Sequence, residues 1–256
     1  MEASDLKENI TKIAGLGPIK VWSVVVTVMG DLLRDKSDSL SAQQLDALVA
    51  PMGINNQALR VAVHRLRNDG WVETTKDGRR SRHQLTRKGR AQTESVWPHI
   101  YGSETDQSPP VWMVVASPQT AAPEFSGRLP KDSALLTPRS ALVTGLSDIP
   151  EEWLAVPAPI HMPEWAQMAV APEGLCTEYK ALAHAVAPLL QQPTPTETKA
   201  STSLRLVILH QWRRLRLRHG ALPDLVLGDN WDGAQCRSVV LEALKRFPRP
   251  VPSSLE

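Results

Sequence analysis

The sequence predicts an α+β chain of more than one domain, on three observations. Residues 40–90 pass from helical to strand-like periodicity in the order helix, tight turn, helix, hairpin. Polar stretches rich in Pro, Gly, Ser and Thr at 101–110 and 192–201 interrupt the pattern and mark boundaries. The middle segment holds short strand-like runs, whereas the last quarter has helical period. The 256 residues, 42% of them apolar, exceed the roughly 100–200 residues of one domain and suffice for buried cores.

Residues 1–18 are polar, with Leu6, Ile10 and Ile13 at helical spacing. They read as a packing arm, a dimer element or a loose terminus. The run VWSVVVTV within 19–34 is strand-like on β-propensity alone. A helix is nonetheless expected there, because the elements that follow need one in front of them. Trp22 reads as a core aromatic. Residues 41–52 form a helix, Gly53 and Ile54 a turn, and 55–68 a second helix, with Asn55 or Asn56 as its N-cap. Gly70 ends that helix. Residues 71–75 and 82–86 bracket a turn at Asp77 and Gly78, and 86–100 read as one helix leaving the hairpin with Thr86 as N-cap. Trp71 reads as packing beneath the hairpin, and His83, a lone strand histidine, is not a ligand.

Helix, turn, helix and basic hairpin make the layout of a winged helix-turn-helix, which points at duplex DNA. In the second helix Leu59, Ala62, Val63 and Leu66 form one apolar stripe, expected to bury against Leu45 and Leu48. Gln57, Arg60, His64, Arg65 and Asn68 lie largely opposite. Arg can read guanine there, and Asn or Gln adenine. Residues 56–90 carry ten Lys or Arg against three Asp or Glu, +7, whereas the whole chain carries +2. The candidate DNA contacts are Asn55, Asn56, Gln57, Arg60, His64 and Arg65 on the helix. On the wing they are Lys76, Arg79, Arg80 and Arg82, which suit phosphates and counterion release.

The runs VVVTVMGDLLR, MGINNQALRVAVHRLRNDGW and GRRSRHQLTRKGR resemble the N-terminal domain of the PaaX family, the repressors of phenylacetate catabolism. Gly-Asp-Leu-Leu-Arg stands on the first helix, Arg60-x-Ala62-x-x-Arg65-Leu66 on the recognition helix, and Asp69-Gly70-Trp71 after it. Gly78 to Ser81 and Leu85 to Arg90 complete the wing pattern. The match runs in family order over roughly seventy residues.

The middle segment holds VWMVVA (111–116), SALLT (133–137) and SALVTG (140–145) as strand-like runs, and AQMAVA (166–171) as a further one. Residues 175–191 are amphipathic, with Leu182, Val186 and Leu189 or Leu190 on one side. PaaX relatives look similar here, with a ferredoxin-like fold also seen in the Cas2 nucleases. Residues 117–130 depart from that pattern: three prolines shorten the first helix or replace it by a loop. Trp153 and Trp165 stand in a Pro-rich stretch expected as a loop, where they line a pocket for a flat ligand or cap a core. After the second linker a long amphipathic helix carries Leu204, Val207 or Ile208, Trp212 and Leu215 on one stripe, and Arg213, Arg214, Arg216 and Arg218 on another. Those arginines suit an anionic effector, a solvated face or a dimer contact. The run ALPDLVLGDNWDGAQCR resembles the C-terminal PaaX segment, with Arg218-His219-Gly220 in place of the usual Asp-Pro, Gly228 in place of the usual third Pro and Asn230 in place of the usual Asp before the Trp. Trp231 reads as an anchor.

The expected architecture is therefore a winged helix-turn-helix at 19–100, a ferredoxin-like (Cas2-like) α+β domain at 109–191, and a helical domain at 200–248 for effector response or dimerisation. Regional charge is uneven: −1 over 1–19, +5 over 20–100, −6 over 101–200 and +4 over 201–256. The acidic middle is unsuited to DNA. Cys176 and Cys236 read as reduced thiols of a cytoplasmic protein. No secretion signal or membrane span is expected. No nucleophile–His–acid set, phosphate loop, metal-ligand spacing or cofactor motif is present. The first middle strand lacks the carboxylates a Cas2-like nuclease needs, so a non-enzyme is expected. The resemblance implies a homodimeric repressor on a palindromic operator, released by an aryl-CoA thioester such as phenylacetyl-CoA. Trp165, Trp212, Arg213 and Arg214 are its ligand candidates. A regulator answering a free aromatic or other small molecule is the alternative, and a DNA-architectural binder fits poorly with so large a rear portion.

Overall fold

The computed structural model describes residues 3–78, 80–102, 109–158 and 161–255. Two compact units divide the chain. The first comprises Met1–Tyr101, Ala181–Arg214 and Arg237–Glu256; the second comprises Gly102–Lys180 and Leu215–Cys236. The protein is mixed helix and sheet, with two small antiparallel sheets.

The first unit begins with α1 (Ala3–Ala14) and α2 (Val21–Leu32). Ile10 and Ile13 of α1 are buried, so the amino-terminal segment packs as an arm. The valine-rich run is helical as expected: Val24 to Leu32 are all buried, and enclosure on every side overrides the β-preference of valine. Trp22 corrects the expectation of a core aromatic. It precedes the buried run, its exposure is 36%, and its ring lies beside the Arg65 guanidinium. There follow β1 (Leu40–Ser41), α3 (Ala42–Val49), α4 (Asn56–Asn68), β2 (Val72–Asp77) and β3 (Arg80–Leu85), with sheet order β1-β3-β2. The expected single helix at 86–100 is two, α5 (Arg87–Glu94) and α6 (Trp97–Tyr101). Pro98 lacks the N–H that would continue the first helix and is tolerated in the opening turn of the second.

Gly89 stands where α5 meets the hairpin. Thr86 caps α5 by accepting the Gly89 N–H at 3.0 Å and donates to the Gly70 carbonyl at 2.6 Å. A Cβ on Gly89 would overlap the carbonyl oxygen of Trp71. Gly89→Ala is therefore expected to destabilise the protein by about 1–3 kcal/mol through backbone displacement. Urea denaturation checks this, and an unchanged midpoint would refute the close approach.

The second unit is built on β4 (Val111–Val115), β5 (Ser133–Thr137), β6 (Ser140–Thr144) and β7 (Leu154–Pro157), in the order β5-β6-β4-β7, all antiparallel. Alternation sends Val114, Ala141 and Val143 to one face and Leu142 and Ala134 to the other. The first face packs on Phe125 of α7 (Ala122–Arg128) and on Trp153. The second packs on Val170 of α8 (Glu164–Val170) and Leu222 of α11 (Leu222–Leu227). One expectation is refined and two are corrected. The doubtful first helix survives as the short α7. The Pro-rich stretch expected as a loop contributes the edge strand β7, and prolines are tolerated on an edge. The run expected as a strand at 166–171 is helical, since Pro163 starts a turn of Ala, Gln and Met, all good helix formers.

The remaining helices are α9 (Glu173–Val186), α10 (Thr198–His219) and α12 (Asp232–Arg246). From Thr202 to Trp212 every residue of α10 is buried, so its expected amphipathic stripe is replaced by burial all round. The expected anchor Trp231 is buried in the second unit, donating its indole N–H to Asp224 at 3.0 Å and meeting Tyr179 edge-on. Cys176 and Cys236 are not joined in a disulfide. Among the described residues no helix is long and apolar enough to cross a membrane.

Candidate nucleic-acid interface

The entry to α3 is closed by a capping box. Ser41 Oγ accepts the Gln44 N–H at 3.1 Å, and Gln44 Oε1 accepts the Ser41 N–H at 2.7 Å. A short 3-10 turn, Ala50–Met52, carries the chain to Gly53, whose φ of 80° admits glycine readily. Asn55 then caps α4, its side-chain oxygen accepting the Ala58 N–H at 2.8 Å. Of the two candidate caps, the structure selects Asn55. Asn56 instead donates to Asp46 of α3 at 2.9 Å, bracing the turn between the helices.

Leu59, Ala62, Val63 and Leu66 of α4 are buried, and the helix packs on α2. Leu45 of α3 shares a groove wall with Leu59 and Val63. The opposite face is free: Gln57, Arg60, Val61, His64, Arg65 and Asn68 are all exposed. Arg60 has no carboxylate partner among the described residues. His64 is within 3.4 Å of the Asn68 amide. Arg65 is held between the Trp22 ring and Asp69, 3.7 Å from its carboxylate, so its guanidinium is oriented.

The hairpin beside α4 is regular from Val72↔Leu85 to Asp77↔Arg80, and Gly78 turns it with φ 59°. Lys76 is exposed near the tip. Arg79 lies outside the described residues, and Arg80 is described in its backbone alone. Arg82 is half-buried and donates from Nε to Ser39 Oγ at 2.9 Å, which fastens β3 to the loop before α3. His83 faces inward at 2.9 Å from Thr74 Oγ1. Burial, and then the charge of Arg67, lower its pKa and favour the neutral ring. A groove of about 490 Å³ runs between α3, α4 and this sheet, lined by Asp46, Asn56, Arg60, His64, Arg67 and His83 among others.

Behind this surface α2 is fixed by a buried charge cluster. Arg205 of α10 grips Asp31 with two hydrogen bonds of 2.7 and 2.9 Å and donates to the Leu244 and Phe247 carbonyls at 2.7 and 2.9 Å. Tyr101 donates to Asp31 at 2.8 Å, and Arg249 lies 3.4 Å away. Burial alone would raise the Asp31 pKa, but the hydrogen bonds and charge of Arg205 lower it on balance.

The effector candidates fall in both units. Trp212 is fully buried and donates its indole N–H to the Ile100 carbonyl at 2.9 Å. Arg213 is half-buried, 3.3 Å from Ser23 Oγ, and Arg214 donates to Gln211 at 3.0 Å. Trp165 belongs to the second unit and is exposed on α8. Arg216 and Arg218, expected on the same basic stripe, pair with Asp224 and Glu178. The arginine run is therefore largely consumed by internal partners and is no continuous solvated face. Two exposed side chains on or beside α4, Val61 and Trp22, escaped the list of candidates. A helical projection centred on Gln57 would have found Val61, one turn further along the same face.

Residues 20–89 match the family model described as PaaX-like protein, and residues 172–251 match that described as PaaX-like protein C-terminal domain. The transcriptional repressor PaaX of Escherichia coli (strain K12) is 23% identical over 262 residues, covering 90% of this chain and 81% of that protein.

Proposed function

The chain belongs to the PaaX family, and on that premise we propose that it is a cytoplasmic, homodimeric transcriptional repressor without enzymatic activity. In this reading residues 19–100 are a winged helix-turn-helix, 109–191 a ferredoxin-like domain, and the helical stretch 200–248, whose residues are divided between the two compact units, serves effector response or dimerisation. The helix α4 enters the major groove of duplex DNA, the hairpin lies along the phosphates, and two copies span a palindromic operator. One observation carries the reading: α4 exposes Gln57, Arg60 and His64 together, Arg60 without a carboxylate partner among the described residues, in a window of charge +7.

Arg60→Ala is expected to weaken binding by about 1–3 kcal/mol at the base it reads and to relax preference there, whereas Lys76→Ala weakens all duplexes alike and reduces the salt slope by about 1. Binding titrations on duplexes selected from a random library, at several salt concentrations, separate the two. Identical behaviour of both variants would refute the division of helix to bases and wing to backbone.

The regulated genes belong to aromatic catabolism, and an aryl-CoA thioester such as phenylacetyl-CoA releases the operator. This effector class rests on family kinship. Release requires that the thioester bind the DNA-incompetent state more tightly. Its test is loss of the selected duplex on adding phenylacetyl-CoA but not free phenylacetate. The reverse outcome selects the alternative, a repressor answering a free aromatic acid.

A further inference from the structure

We propose that Val61 reads a pyrimidine 5-methyl group in the major groove, which makes it a specificity-determining residue of the DNA surface described above, and the inference rests on that reading. Val61 is 66% exposed at the middle of the outward face of α4, with Gln57 one turn before it and Arg65 one turn after. It contributes nothing to the buried stripe. A β-branched residue in an exposed helix position is also a poorer helix former than the Ala, Arg or Gln around it. Neither packing nor local propensity accounts for it.

Its surroundings narrow what covers it. Val61 lies at the rim of a shallow apolar groove formed with Val21, Trp22 and Ala58, with Gln57 and Arg65 as polar walls. The outward face of α4 carries no carboxylate before Asp69, in a segment of charge +7. The complementary surface is therefore polyanionic yet presents an isolated apolar group. The major groove of duplex DNA meets both demands, because the 5-methyl of thymine is an apolar protrusion among donors and acceptors. A second copy of the chain would bring the same positive charge against it. Trp22 backs the site, with the Arg65 guanidinium 5.7 Å from its ring centroid. Methylated cytosine carries the same group, so the chemistry assigned is the pyrimidine 5-methyl, whichever base bears it.

The test uses the full chain and a duplex selected from a random library. Each thymine is replaced in turn by uracil, which removes the methyl alone, and each cytosine in turn by 5-methylcytosine. Dissociation constants are measured for wild type and for Val61→Ala, a substitution that favours the helix. At one thymine per half-site, uracil is expected to weaken wild type about 4-fold, the worth of one buried methyl group. Val61→Ala binds the thymine and uracil duplexes equally. Coupling seen only where cytosine becomes 5-methylcytosine supports the same contact and assigns its source to the modified base. If duplexes bind tightly but no methyl couples to Val61, the inference is overturned while the DNA reading stands. If Val61→Ala instead lowers the oligomeric mass and no methyl couples, the patch joins copies of the chain and the inference is overturned. Failure of the wild-type chain to bind any selected duplex removes the DNA reading, and this contact with it.

Discussion

Replacing Asp31 by Ala is expected to cost about 3–5 kcal/mol of stability, the usual penalty for leaving one member of a buried ion pair without its partner. Asp31 and Arg205 are both almost wholly inaccessible and meet in a two-pronged contact of 2.7 and 2.9 Å. Removing the carboxylate strands a guanidinium that cannot lose its proton within the physiological range. Arg205→Met should be comparably damaging, because it also releases the Leu244 and Phe247 carbonyls that Arg205 satisfies at the end of α12. Asp31→Leu combined with Arg205→Met is expected to recover the share of the loss owed to an unpaired buried charge, though not the share owed to the Leu244 and Phe247 carbonyls. Urea denaturation of the three variants and wild type is the measurement. A single substitution costing under about 1 kcal/mol would show that the cluster is hydrated and weak. The same network predicts an acid limb. The Asp31 pKa is held below its ordinary value, so the stability it contributes is present above pH 3.8 and is lost as pH falls below that value and through the folded pKa.

That cluster also shows how far the sequence could be read. Gly30-Asp31-Leu32-Leu33-Arg34 is visible as a motif, but its reason is not. Gly30 brings α2 close to Thr93, where a Cβ would crowd its methyl group, and Asp31 awaits an arginine 174 positions later. Periodicity reports local burial and carries no information on such distant pairings. The helix–turn–helix and hairpin were legible because each element there is set by its own signals: a Gly at positive φ between the helices, an Asn cap and a glycine at the hairpin turn. The long helix misled for the opposite reason. Arg216 looks like a member of a basic stripe with Arg213, Arg214 and Arg218, yet it is buried against the carboxylate of Asp224. Trp22 reads as core from its hydropathy, and only its place two residues before the buried run exposes it. Residues 166–171 gave a strand-like apolar run too short for period to discriminate, and the preceding proline decided for helix.

Acidification below pH 6.5 is expected to destabilise the protein by roughly 3 kcal/mol through His210 alone. His210 lies within α10, almost wholly buried, with Nδ1 3.2 Å from Thr27 Oγ1. The threonine hydroxyl donates to the Ser23 carbonyl at 3.0 Å, so it accepts from His210, which fixes the proton of the neutral ring on Nδ1. Nε2 is then a buried acceptor with no partner among the described residues. Protonating it would place a cation in a dry site beside Arg213 and Arg214. Burial first, and those two charges second, depress its pKa to about 4. Between pH 6.5 and 4 the unfolded chain therefore binds a proton that the folded chain refuses. Stability is full above 6.5, declines as pH drops through that window, and the loss is complete below about 4. His83, also depressed by burial, acts in the same direction. His210→Leu removes the titrating group while leaving Thr27 its bond to Ser23. The variant is expected to match wild type near pH 7.5 within about 1 kcal/mol and to lose about 3 kcal/mol less between pH 7 and 4. Urea midpoints taken across that range read the difference directly, and parallel curves for the two proteins would mean that His210 reaches water and titrates normally.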